Sequence, residues 1–394
     1  MIAGGAEQHC REMAERLVAR GHEVEVATTC AASYVDWANE FEPGTTIEHG
    51  VAIHRFPVLR PRNNVMFNEY DRRMRTGRGT RPLFNQHEWM RMQGPYAPEL
   101  PRWLERSAGR FDVVIGFTYL YWTVWATMHT VPGLVPVVLH PTVHDEPPLR
   151  LSIFDEVFRA PDAFALSTPE EIDLIRERFH IDPPGAVIGI GVEFPAGDGD
   201  RFRRSYPALG DAPYLLYVGR VDEGKGANQL LDFFVLYKER HPDDPVKLVM
   251  VGDPLIPIPD HPDIIVTGFV DYDVRDDAIA GAYALAQPSF YESFSMILTE
   301  AFAAGRPALV QGKCAVLRGH ARRSNAAVPY EGFAEFEAGL ELLLEDPARA
   351  DAMGAAGRAY VEREYRWDVV MDRYEALLQT TVADWANRSV DAAR

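Results

Sequence analysis

Glu292 and Glu300 stand eight positions apart in the segment AQPSFYESFSMILTEAFAAGRPALVQ, residues 286–311. The pattern predicts a short strand over 284–288, a loop carrying Glu292, and a helix over about 294–304. Gly305 suits the C-terminal stop of that helix, and Pro307 forbids its continuation. Unpaired N–H groups near Ser293, Phe294 and Ser295 make an anion site at the mouth of the helix, which the helix dipole reinforces. A carboxylate beside such an end is out of place unless it hydrogen-bonds hydroxyls, as on a sugar. Earlier, GRVDEGKG (219–226) sets Arg220 and Lys225 between Gly219 and Gly226, after a strand predicted over 214–218 and before a helix from Asn228. Two cations and flexible glycines at a strand end suit a nucleotide diphosphate. A third group comes from HPTVHDEPP, which puts His140, His144 and Asp145 at the carboxyl end of a strand over 136–139. Open α/β sheets bind ligands at such ends. Metal ligation by the two histidines lacks a third ligand nearby, and no metal site is expected.

The elements needed to hold these groups are legible elsewhere in the chain. The start, MIAGGAEQHCREMAERLVARGHEVEVATT, opens on a Gly4-Gly5 turn and a helix over about 6–20, with Met13, Leu17 and Val18 on one face and Gly21 as stop. A strand follows over 24–28. Gly4-Gly5 is either a backbone-only phosphate or acceptor loop, or a tight turn that needs no ligand. Residues 31–110 are irregular, with one strand candidate at 51–56. Within them Arg60, Arg62, Arg72, Arg73, Arg75, Arg78, Arg81 and Arg91 lie among Phe67, Tyr70 and Trp89. That local basic excess could receive an anionic acceptor or a lipid surface, or it is a solvated loop. Further strands are expected at 111–115, 163–167 and 186–190, with Thr168 and Glu171 forming a capping box before a helix. The second half adds strands at 246–252 and 264–269, a helix at 274–283, and amphipathic helices at 333–344 and 347–362. The basic run with Arg318, His320, Arg322 and Arg323 either lines the sugar end of the site or is solvated.

Composition narrows the class. The chain has 394 residues, 47% hydrophobic and 25% charged, which describes an ordinary globular protein long enough for two domains. A formal net charge of −18 opposes nucleic acid as the main partner. Cys10, Cys30 and Cys314 are too few and too scattered for a disulfide framework or a zinc cluster, and fit a reducing cytosol. The most apolar region, 113–143, is broken by Gly116, Pro132, Gly133 and Pro136, so it reads as strand–helix–strand rather than a membrane span. No signal peptide is expected, and the location is expected to be cytoplasmic with possible membrane association.

The glutamate segment resembles the E-x7-E element of glycosyltransferase family 4, retaining enzymes of the GT-B fold with two facing Rossmann-like domains. Matching positions are Glu292, Phe294, Glu300, Ala301, Ala303, Gly305 and Pro307; Ser293 and Ser295 replace two family glycines. Gly219, Arg220, Lys225 and Gly226 match the family's G-R-x-x-x-x-K-G element, and Gly4-Gly5-Ala6-Glu7 its G-G-A-E segment. The resemblance implies an α/β GT-B fold with an acceptor-binding domain over 1–190, a linker over 191–210, a nucleotide-sugar-binding domain over 211–366, and a helical region over 367–394 that crosses back. It places a first strand ahead of the glycine turn, central in the N-terminal sheet; here that strand is missing, which points to a start-site or truncation artefact or to a sheet built without it. The implied reaction is metal-independent, retaining transfer of a hexose from a nucleotide-diphosphate sugar to the hydroxyl of a glycan, glycolipid or metabolite, with no resident cofactor. Arg220, Lys225 and the helix end near Ser295 would neutralise the leaving diphosphate, Glu292 would grip sugar hydroxyls and Glu300 the ribose, and Gly268 would hold the base. His144, or His140 as fallback, would orient the acceptor or assist proton transfer, and domain closure would exclude water. A nucleotide-sugar epimerase or another GT-B enzyme, and a catalytically silent sugar-nucleotide binder, are the rival readings.

Overall fold

The computed structural model describes residues 4–76, 81–194 and 196–392. Arg78 of the arginine-rich stretch and the residues ahead of Gly4 lie outside them. The chain divides into two compact units, one running to Ile188 and resuming at Met371, the other spanning Gly189–Val370.

The first unit begins with α1 (Gly5–Ala19), β1 (Glu25–Thr29), β2 (Gly44–Glu48) and β3 (Val51–Phe56). The stretch that reads as irregular then folds into three helices, α2 (Asn64–Thr76), α3 (Leu83–Gln93) and α4 (Glu99–Ser107). Alternation follows, with β4 (Val114–Phe117), α5 (Trp122–Thr130), β5 (Val137–His140), α6 (Phe154–Val157), β6 (Ala163–Leu166), α7 (Pro169–Phe179) and β7 (Gly185–Val187). His9, Met13 and Leu17 recur at four-residue steps on the buried face of α1, as helical periodicity requires. The strands form two sheets, β1-β3-β2 and β4-β5-β6-β7. No strand among the described residues joins them, so β1 and β4 each have a partner on one side only. Their side chains are mostly half-buried, whereas β5 and β6 are buried throughout. Where the resemblance places a central first strand, this unit has an interruption.

The second unit contains α8 (Gly199–Ser205), β8 (Tyr214–Val218), α9 (Ala227–Arg240), β9 (Lys247–Val251), β10 (Ile264–Gly268), α10 (Tyr272–Gly281) and β11 (Ala284–Gln287). It continues through α11 (Met296–Ala303), β12 (Ala308–Gln311), α12 (Ala315–Ser324), β13 (Ala327–Tyr330), α13 (Phe333–Glu345) and α14 (Pro347–Glu364). All six strands are parallel, in the order β10-β9-β8-β11-β12-β13. Helices cover both faces, so the central strands are buried apart from Val218 and Lys247 at strand ends and read as near-continuous apolar runs. Tyr214, Leu216, Val249, Leu285 and Val310 enter one core, and Leu215, Tyr217, Leu248, Met250 and Leu309 the other. Of the stretch 191–210, expected above as a linker, the described residues 191–194 and 196–210 pack into this unit. Val192, Phe202 and Leu209 are buried, and Arg201 on α8 pairs with the buried Asp277 on α10. The last helix, α15 (Trp367–Ala392), starts in the second unit and belongs to the first from Met371 on. Within the first unit it is tied by Arg20 to Asp372 and Glu375, each at 2.7 Å, and by Arg388 to Asp162.

Candidate active site

In the strand order of the second unit, β8 is central and the chain leaves it first towards β9 and β10, later towards β11, β12 and β13. The order reverses between β8 and β11, and ligands of doubly wound sheets bind outside the carboxyl ends of the strands at such a point. The loop after β8 carries Arg220 and Lys225, and the loop after β11 carries Glu292. The structure joins them: Lys225 Nζ lies 2.8 Å from Glu292 Oε1. Gln287, at the end of β11, donates from Nε2 to the same Oε1 at 3.2 Å and to Ser295 Oγ at 3.0 Å. Asp222 accepts from the Lys225 N–H at 2.8 Å, and its carboxylate lies 3.5 Å from Arg220 Nε. Tyr217, at the end of β8, donates its hydroxyl to the Arg220 carbonyl. The cationic loop is therefore held from three directions.

Two backbone positions explain the residue types. Gly226 has φ +71°, and a Cβ there would sit 2.3 Å from the Pro288 carbonyl oxygen, so only glycine lets the two loops approach. Ser295, the N-cap of α11, has φ +73° and ψ +73°. It takes the left-handed conformation suited to the glycine it replaces, at a cost of about 1–2 kcal/mol. The hydrogen bond from Gln287 offsets part of that cost.

Glu300 lies on α11, with Oε1 3.3 Å from Arg275 Nη2; Arg275 also reaches Asp276 and lies over the Tyr272 ring. Gly268 ends β10 with φ +72°, and the next N–H, of the exposed Phe269, donates to Asp253 at 3.0 Å. Phe294 is buried, and His320 packs edge-on against it with ring centroids 5.3 Å apart. His320 is wholly buried and bonded to the Tyr360 hydroxyl at 3.0 Å; burial holds its pKa down at about 3. It is thus a neutral support behind the loop, neither a sugar-lining nor a solvated residue. Arg318 and Arg322 are exposed, and Arg323 donates to the Tyr360 hydroxyl.

In the first unit, His140 ends β5 fully buried, stacked on Phe117 at 4.6 Å and 3.2 Å from Ser167 Oγ. Desolvation lowers its pKa to about 3, so it remains a neutral core histidine. His144 is part-exposed, with Nε2 3.8 Å from Glu146 Oε1. Its neighbouring carboxylate is Glu146, which also accepts from the Tyr119 hydroxyl at 2.8 Å; Asp145 turns instead to Arg150. The buried Glu171 accepts from the backbone N–H groups of Val143 and Ser167, tying the histidine loop to α7. The Thr168 side chain makes no cap bond, so only the glutamate half of the expected capping box forms. Gly4 is the N-cap of α1, and Glu7 folds its carboxylate back over that helix end. Among the described residues no three His, Cys, Asp or Glu side chains converge as a metal site would need.

Residues 198–360 match the model for glycosyl transferases group 1, and residues 4–191 match the glycosyl transferase 4-like domain. The chain belongs to glycosyltransferase family 4. It is 25% identical to a D-inositol 3-phosphate glycosyltransferase of Kribbella flavida, over 98% of this chain and 92% of that one. A second enzyme of that name, from Frankia alni, is 28% identical over 91% and 90%. Among solved structures, sucrose-phosphate synthase of Thermosynechococcus elongatus matches with a TM-score of 0.71 at 18% identity, covering 97% of this chain and 94% of that one. HepE of Anabaena in complex with UDP matches with a TM-score of 0.70 at 14% identity, covering 96% of each. The fold is GT-B, with α/β sheets that are parallel in both units apart from β2, which runs antiparallel to β3.

Serine at 295 adds a hydroxyl that Gln287 binds, a contact that glycine cannot make. Sequence reading passed over Gln287, Arg275, Glu146 and His320's burial. For Gln287 a signal existed: a polar residue ending an otherwise apolar buried strand. Arg275 gave none, because its partner is 25 residues away.

Proposed function

We propose that this glycosyltransferase moves a hexose from a nucleoside-diphosphate sugar to an acceptor hydroxyl, with retention at the anomeric carbon and without a divalent metal. The observation that carries the reading is the Lys225–Glu292 ion pair across the point where the strand order reverses. A cation and a carboxylate 2.8 Å apart suit the junction of a donor sugar, with diphosphate on one side and hydroxyls on the other. As the bond from the anomeric carbon to the diphosphate breaks, negative charge grows on the leaving phosphate. Lys225, Arg220 and the N–H groups ahead of α11 stabilise that charge, as a metal does in other transferases. On donor binding Lys225 turns to the phosphate, and Glu292, still held by Gln287, accepts from the sugar hydroxyls. Glu300 binds the ribose and the Gly268 turn the base. His144 takes or guides the acceptor proton, with Gly4-Gly5 on the acceptor side. Retention rests on the family resemblance.

The relatives' names make a phosphorylated cyclitol a first acceptor to try, and the UDP bound by HepE makes UDP-sugars the first donors. Cys10, Cys30 and Cys314 are free thiols, in keeping with a cytoplasmic location. The test is nucleotide release from UDP-, GDP- and ADP-sugars with an acceptor panel that includes D-inositol 3-phosphate. Release that requires both substrates, with product of retained configuration, supports the proposal. Conversion of the donor without acceptor points to an epimerase or hydrolase.

A further inference from the structure

The arginine-rich stretch is a built surface. Helices α2 and α3 pair as a hairpin, with the Tyr70 hydroxyl on the Asn85 carbonyl at 3.1 Å and the Trp89 indole on Asp71 at 2.9 Å. Phe67, Met74, Trp89 and Met90 fill its inner side, so its own core is complete. Yet Val65, Met66, Leu83 and Phe84 are exposed by 81%, 58%, 56% and 73%. Two sequence-adjacent pairs of large apolar side chains at that exposure, one at the start of each helix and beside arginines, mark a contact site. Met66 and Arg73 are seven residues apart on α2, as are Val65 and Arg72, so each pair shares a helix face. Arg73 also lines a cavity of about 380 Å³ with Tyr70, Met74, Arg81, Pro82 and Asn85, and from Pro82 the chain continues into Leu83 and Phe84. Arg81 Nε is buried there without a hydrogen-bond partner.

Residues 60–91 hold eight arginines against three acidic residues, in a chain of net charge −18. Glu69 pairs with Arg72 and Arg73, and Asp71 with Arg75, so two carboxylates are shared among three arginines and Arg81 adds a fourth cation. The surplus is therefore positive, and local. No helix among the described residues is long and apolar enough to cross a membrane.

We propose that the α2–α3 hairpin docks this protein on an anionic lipid surface. Val65, Met66, Leu83 and Phe84 enter the headgroup boundary, while Arg72, Arg73 and Arg81 take lipid phosphates, one of them at the cavity. Arginine supplies the forked donors that phosphate recognition needs, and shallow apolar insertion adds the rest. The inference does not depend on the donor reading, and its test needs no turnover.

The experiment is co-sedimentation of the full chain with phosphatidylglycerol-containing vesicles and with pure phosphatidylcholine vesicles, at about 0.1 M and about 1 M salt. Binding to the anionic vesicles, weakened by salt, is expected. The Arg72→Gln, Arg73→Gln pair should lose about fivefold per arginine, and Leu83→Ser, Phe84→Ser about tenfold or more. All four side chains are exposed, so circular dichroism and donor-induced thermal shift should be unchanged. Equal binding to both vesicle types, no binding, or indifference to both variant pairs would overturn the proposal. So would a soluble protein partner lost with Leu83→Ser, Phe84→Ser when vesicles do not bind. Saturation by inorganic phosphate alone, with no vesicle pelleting, would show an anion site rather than a lipid surface and likewise refute it.

Discussion

Replacing Lys225 by alanine is the sharpest perturbation of the proposed donor site. Lys225 contacts Glu292 at 2.8 Å, and its side chain is about one-third exposed while that of Glu292 is mostly buried. At an effective dielectric near 20, a unit charge about 4 Å from a phosphate oxygen contributes about 4 kcal/mol, and part-exposure trims this towards about 2 kcal/mol. Since the charge on the leaving phosphate grows in the transition state, that energy falls mainly on kcat. The expected loss is about 30- to 1,000-fold, in the range found when one oxyanion donor is removed. Stability should change little, because Gln287 still serves Glu292 when the ammonium is gone. The assay is nucleotide release with a responsive donor and acceptor, fitted for kcat and KM, beside a thermal melt. Glu292→Ala should also abolish transfer, by removing the acceptor of sugar hydroxyls, and the two variants should be far from additive because the groups touch. Lys225→Ala retaining kcat within threefold of the parent, in a folded protein, would falsify the assignment of this loop as the charge sink.

Other consequences are measurable. Arg275→Met should raise the donor KM about tenfold with kcat within about twofold, since it frees Glu300 from the group that orients it without touching the leaving phosphate; an equal fall in kcat would contradict this. Gly226→Ala should destabilise the second unit by roughly 2–4 kcal/mol, through positive φ and a clash with the Pro288 carbonyl, read as a lower melting temperature than parent. His140 and His320 are buried and neutral, with folded pKa values of about 3 against about 6.5 unfolded. The unfolded chain therefore binds more protons below pH 6.5, and the stability these groups provide above it is lost as pH falls towards 3. Each should cost about 1.4 kcal/mol at pH 5.5, visible in urea melts at pH 5.5 and 7.5, and His320→Phe should reduce that dependence. The buried Glu171, whose carboxyl desolvation pushes up to about 8, acts in the opposite sense over the same window, so the readout is the difference between parent and His320→Phe; an equal pH dependence in the two would show that His320 is not buried in solution.

The placement of the candidate site residues was readable because it is local. Glu292, Glu300, Arg220 and Lys225 fall at fixed distances from strand ends and helix starts, and helix periodicity and Gly–Pro punctuation place those ends within a residue or two. The irregular reading of 31–110 failed for the opposite reason. Helices α2 and α3 mix exposed apolar side chains with arginines on their outer faces, so no clean apolar stripe marks the helical period, and burial of Phe67, Met74, Trp89 and Met90, with Trp89 against Phe154, settles them.

Sequence alone fixed which side chains are available and on which local element each sits. Only the tertiary structure decided that β8 pairs with β11, and hence that a lysine and a glutamate 67 residues apart share one hydrogen bond. It also decided that His140 and His320 are core residues while His144 stays near the surface. Burial and strand order are properties of the whole sheet, set by which apolar faces cover which, and no short window of residues carries that information.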